Sequence, residues 1–156
     1  MARKVAKDTP LAEITLRKYE RPHNLQGREL IKKLCLSIGL LQPGDSRDVI
    51  VDVFQVLIEN KKELSAKEIE TLVIENREKH DLELIGITPP NVRRQLKRLK
   101  SLFLIESNHT LYRITENATL LELYEEKIKK FYLDSIVSRV NEYFQAVSET
   151  KEETKE

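Results

Sequence analysis

Apolar residues recur along this chain with two periods, and the switches between them divide it into elements. Ile14 to Tyr19 alternates apolar and polar, which predicts a short strand. Pro22 ends it, because proline cannot donate to a ladder. From Gly27 the spacing turns helical: Leu30, Leu34, Ile38 and Leu41 share one face. Pro43-Gly44 reads as a turn, after which Asp45 or Ser46 can cap the next helix. That helix, Arg47 to Asn60, is apolar nearly all round and is expected to be the buried centre.

Ser65-Ala-Lys-Glu68 has the pattern of a capping box, in which hydroxyl and carboxylate each satisfy a free amide at a helix start. The helix behind it carries Ile69, Leu72, Val73 and Asn76 on one face and fades near His80. Residues 81–87, with Gly86, read as a loop. Thr88-Pro89-Pro90 starts a third helix, with the prolines where amides have no partner anyway. It runs to about Leu102. Residues 103–107 and 110–115 then predict two short strands around Asn108-His109, a hairpin. After Thr119 the chain is helical again. Leu120, Tyr124, Ile128 and Phe131 form one stripe; Leu133, Ile136, Val140, Tyr143 and Val147 form a second, with a break expected near Asp134-Ser135. No internal repeat is present.

The fold class expected is mainly α with a small β-hairpin. Residues 1–12 make a flexible arm and 13–44 an N-terminal strand and helix. Residues 45–116 form the central domain and 117–149 a C-terminal helical extension. The charged segment 150–156 is a frayed tail.

Composition changes this picture in three ways. Abundant Lys and Glu with no Trp, one Met and one Cys suggest a heat-adapted source. The lone Cys35 cannot make an internal disulfide and falls on an apolar helix face, so it is read as core in a reducing compartment. The basic N-terminus has no apolar run behind it, and no stretch approaches the ~18 apolar residues of a membrane span. A cytoplasmic protein with no membrane association is expected.

Net charge is only +1, so any affinity for nucleic acid must be local. It concentrates in the helix that starts at Thr88. Val92, Leu96, Leu99 and Phe103 form a narrow apolar arc, while Arg93, Arg94, Lys97, Arg98 and Lys100 spread over the rest. No acid occurs between residues 84 and 105. Phosphate binding needs such a surface, because each neutralised phosphate releases condensed counterions. Arginine adds a planar fork that matches guanine edges.

A buried helix, a capped helix, a basic helix and a hairpin follow one another in that order. The segments SAKEIETLV, TPPNVRRQLKRLKSLFLIE and NHTLYRIT carry a resemblance to the winged helix-turn-helix superfamily of prokaryotic transcription regulators, of the MarR, PadR or ArsR kind and of archaeal type. The resemblance covers about 70 residues. It implies that the basic helix enters the major groove of double-stranded DNA and that the hairpin is the wing. Asn91, Arg94, Gln95 and Arg98 are then candidates for groove contact. Arg93, Lys97 and Lys100 are candidates for phosphates, and Asn108 and His109 for the wing tip. Phosphate contacts position a protein and base contacts specify its site.

Blander readings stand beside these. A basic helix face is often only solvated surface. The C-terminal stripes serve either a single core or a homodimer arm. The capped helix is acidic, which suits a winged-helix interaction module or complex subunit that does not read DNA. His23, His80, His109 and Cys35 are scattered without ligand spacing, so no metal is expected. No glycine-rich phosphate loop and no nucleophile with a neighbouring base is evident, so neither a cofactor nor catalysis is expected. The expectation is a homodimeric, DNA-binding transcription regulator.

Overall fold

The most apolar stretch of the chain becomes its centre. In the computed structural model, which describes residues 7–153, Val49–Glu59 forms helix α2, and every residue from Val49 to Leu57 is buried. Six of its eleven residues are β-branched, a poor composition for an isolated helix. Burial on all sides supplies what propensity lacks.

Helices α1 (Gly27–Ser37), α3 (Ala66–Lys79) and α4 (Pro89–Ser101) pack around α2. Strands β1 (Leu64–Ser65), β2 (Ile105–Asn108) and β3 (Leu111–Ile114) form a three-stranded antiparallel sheet in the order β1-β3-β2. A 3-10 turn at Thr115–Asn117 leads into α5 (Leu120–Leu123), a π-helical stretch over Tyr124–Leu133, and α6 (Asp134–Glu153). The fold is therefore mainly helical with a small sheet, as the periodicity implies. The capping box at Ser65 and Glu68 is present with both of its hydrogen bonds, and Thr88 accepts from the Asn91 amide.

Several expectations need correction. Residues 14–19 are not a strand. One backbone bond, Arg17 N–H to Ser37 O, docks them, and the Arg17 guanidinium donates to Leu36 O and Leu41 O at the end of α1. Alternation alone therefore did not make a strand here. Gly39 shapes the same junction: it is left-handed (φ +77°), and a Cβ there would lie 2.7 Å from that of Thr15. Neither Asp45 nor Ser46 caps α2. Asp45 Oδ1 closes a local turn on the Arg47 amide, and Asp48 holds the N-cap position with its carboxylate turned elsewhere. Strand β1 was not expected. Two residues cannot show a period, and Ser65 is read first as a cap.

The helix after Thr119 does not break at Asp134. Its hydrogen-bond pattern passes from π to α there, with helical backbone angles throughout. It continues to Glu153, past the expected start of a frayed tail at residue 150. Residues 1–6 of the expected arm and 154–156 of the tail lie outside the described residues.

The Asp48 carboxylate belongs to a buried ion cluster. Asp52, fully buried in the first turn of α2, accepts from Arg28 of α1 at 2.9 and 3.0 Å and from Arg77 of α3 at 2.7 Å. Asp48 bridges the same two guanidiniums at 3.0 Å each. Asn76 donates to Asp52 and to Gln55, and Arg77 Nε donates to Glu83 O in the loop before α4. Among the described residues, no buried side-chain nitrogen or oxygen is left without a partner.

Removing one partner of such a cluster leaves a buried charge uncompensated. Arg77→Met is expected to lower stability by about 3–5 kcal/mol in urea unfolding. A loss under about 1 kcal/mol would show that water compensates the carboxylates. Acid should act on the same cluster. Burial raises the Asp48 carboxyl, but hydrogen bonds from Arg77 and Arg28 outweigh it and hold the pKa below the ordinary value. Its contribution is complete above the unfolded pKa, about 3.9, and is lost as pH falls through the folded one. Between about pH 5 and 3, the melting temperature of Asp48→Asn should therefore fall less than that of the wild type. Equal falls would remove Asp48 from the acid response.

Candidate nucleic-acid interface

Helix α4 has two unlike sides. Val92, Leu96 and Leu99 are buried against α2 and anchor one of them. Arg93, Arg94, Lys97 and Lys100 are exposed on the rest of the helix. Among the described residues, Arg93 and Lys97 have no hydrogen-bonding or ion-pairing partner. They are four residues apart, so they share one helical face. Lys100 Nζ donates to Ser107 Oγ at 2.8 Å, which ties the last turn of α4 to β2. Asn108 and His109 are exposed at the hairpin tip, where His109 takes a left-handed conformation (φ 59°).

The other polar side chains of α4 turn inward and form a relay. Asn91 Nδ2 donates to Gly86 O at 2.6 Å. Asn91 Oδ1 accepts from Arg94 and from Gln95, both at 3.0 Å. Gln95 Oε1 accepts from Arg98, which also donates to Leu40 O at 2.6 Å. Gln95 is 7% exposed and Arg98 is half-buried. Burial first, and the charge of Arg94 second, lower the Arg98 pKa from its usual value. The structure thus gathers Arg93, Arg94, Lys97 and Lys100 on the surface, and engages Gln95 and Arg98 in joining α4 to the segment after α1. Spacing puts Asn91, Gln95 and Arg98 on one flank of the apolar arc and Arg93, Lys97 and Lys100 on the other; only the fold decides which flank is covered.

One residue joins the set from elsewhere in the chain. Arg47, just before α2, lines a cleft of about 890 Å³ together with Asp45, Thr88, Asn91, Arg94 and Arg98. The sequence placed it only at a helix start. The acidic helix contributes as well: Glu70 of α3 borders a small cleft shared with Arg93 and Pro89, bringing a carboxylate to the edge of the basic face.

The junction between α4 and the hairpin is strained and braced. Phe103 is left-handed (φ 64°), a conformation costly for a bulky residue. Its ring meets Phe131 and Tyr132 edge-on at 6.2 and 6.1 Å, and its carbonyl accepts from Thr115 Oγ1 at 2.9 Å. The C-terminal helix therefore holds the hairpin's angle to α4.

His23, His80 and His109 fall in a 3-10 turn, at the end of α3 and in the hairpin turn, and Cys35 is buried in α1. Burial pushes the Cys35 thiol up to about 12. Among the described residues, no helix is long and apolar enough to cross a membrane.

The two groups of polar residues should separate on mutation. Gln95→Ala leaves Arg98 and Asn91 short of a partner and is expected to cost about 1–3 kcal/mol in chemical denaturation. Arg93→Ala and Lys97→Ala should stay within about 0.5 kcal/mol of the wild type. A silent Gln95→Ala would mean that the relay does not position α4. Compared with protein-family models, curated proteins and solved structures, the chain gives no match.

Proposed function

We propose that the chain binds double-stranded DNA in the manner of a winged helix-turn-helix regulator, with α4 along the major groove and the β2–β3 hairpin as its wing. The observation that carries this reading is the outward set Arg93, Arg94, Lys97 and Lys100 on a helix whose opposite side is locked into the core. The backbone that carries the four cations is held by a fixed scaffold, so only their side chains remain to be ordered on phosphates. The hairpin tip, tied to α4 through Lys100 and Ser107, extends the same surface. In this reading Arg93, Lys97 and Lys100 meet phosphates, joined by Arg47. Arg94 and Asn91 are the candidates for base edges, and the roles of Gln95 and Arg98 pass through the relay that orients them. Two chains joined through their C-terminal helices would offer two such surfaces to a two-fold symmetric site. The resulting occupancy of DNA would regulate transcription.

The acidic face of α3, with Glu70, Glu75 and Glu78, favours a second reading in which the same fold docks a protein and never reads DNA. Fluorescence anisotropy of a random duplex separates the two. If four basic side chains from each of two chains meet phosphates, about seven counterions are released, and affinity should fall about ten-thousandfold between about 50 and 200 mM salt. The double variant Arg93→Glu, Lys97→Glu should abolish binding while keeping the wild-type melting temperature. Absence of binding by the wild type at the lowest salt would overturn the proposal in favour of the protein-docking reading.

A further inference from the structure

Two apolar surfaces have no partner among the described residues. The first is the face of α6. Val137, Val140, Phe144 and Val147 repeat at three- and four-residue steps with Tyr143 beside them, and all five are 48–72% exposed. Helix α6 packs on little besides the π-helical stretch that it continues. Together these side chains expose on the order of 600 Å². A standard interface buries about 800 Å² on each partner. The second surface is an open apolar groove of about 1000 Å³. Its floor includes Ile58 of α2, and its walls carry Leu30 and Leu34 of α1 opposite Leu121 and Tyr124 of the C-terminal helix. Leu30 and Leu121 are 39% and 65% exposed.

A chain cannot seat its own α6 in its own groove. The helix runs unbroken from the groove wall into the stripe, which places Val140 about 30 Å from Leu120 along the axis. We infer that the groove between α1 and α5 receives α6 of a second copy of this chain, and that two copies dock reciprocally, each lending a helix and accepting one. This closes under a two-fold axis and covers both surfaces at once. Pairing α6 against α6 would cover only the stripe and leave the groove open to water. The inference deepens the homodimer in the proposed function and rests on it. It assigns the receiving surface to α1, α2 and α5.

Sedimentation velocity on the full chain tests it with two variants, Leu30→Glu in the groove and Tyr143→Glu on the stripe. Both side chains are exposed in the single chain, and circular dichroism checks that each variant stays folded. The wild type should be dimeric, and each variant at least about 100-fold weaker in self-association. An equimolar mixture should regain dimers, because one intact groove then faces one intact stripe. If Leu30→Glu dimerises as tightly as the wild type while Tyr143→Glu does not, α6 pairs with α6; the docking inference falls and the homodimer stands. A mixture that stays monomeric at a concentration where the wild type is fully paired overturns it too. A monomeric wild type removes the docking and the homodimer together, and leaves DNA binding to the anisotropy measurement.

Discussion

Asp52 is a carboxylate with no exposure to water in the first turn of the most apolar helix described. A charge in that position is tolerated only if it is neutralised and fully hydrogen-bonded. Two arginines do both, and they come from different helices: Arg28 from α1 and Arg77 from α3. Each guanidinium also reaches Asp48, so the four groups close on one another. A buried ion cluster adds little net stability over well-packed apolar groups, but it penalises any arrangement that separates its members. Here it sets how α1 and α3 sit on α2. Through Glu83 O it also holds the start of the loop that delivers α4.

Helix α4 inherits its placement from that frame and divides its polar residues accordingly. Its apolar arc meets α2. Asn91 donates to Gly86 O and Arg98 to Leu40 O on either side, with Gln95 linking the two. The helix is thus held by hydrogen bonds as well as by apolar burial, which fixes its rotation about its own axis. That rotation decides which cations face outward. A helix of fixed rotation suits recognition of a regular polyanion, because side-chain but little backbone freedom remains to be lost on binding.

The C-terminal helix acts at both of its ends. Near its start, Phe131 and Tyr132 brace the left-handed Phe103, and the Tyr132 hydroxyl donates to Glu13 O, gathering the N-terminal segment to the same place. Further along, α6 leaves the body and carries its apolar face into solvent. One continuous helix therefore links the hairpin angle to whatever covers α6. Exposed Phe, Tyr and Val in such number are unusual for an isolated soluble surface.

Periodicity and capping chemistry were enough to place α1 to α4, the hairpin and the long C-terminal helix, because these depend on neighbours three or four residues away. The caps Ser65 and Thr88 are legible for the same reason, while a third, Thr119 with Glu122, was not singled out. The basic character of α4 is equally a property of composition. What the tertiary structure alone decided depends on residues far apart in the chain. The strand expected at 14–19 found no ladder partner, while the two residues of β1 found one in β3. Asp48 and Asp52 read only as polar positions in an apolar helix until Arg28 and Arg77 arrive from 20 to 29 positions away. Gln95 and Arg98 lie on one flank of the apolar arc of α4 and Arg93 and Lys97 on the other, and it is the fold that covers the first and leaves the second open. Local sequence specifies which way a segment can bend; long-range packing specifies which polar groups it must bury, and so which are left to face a partner.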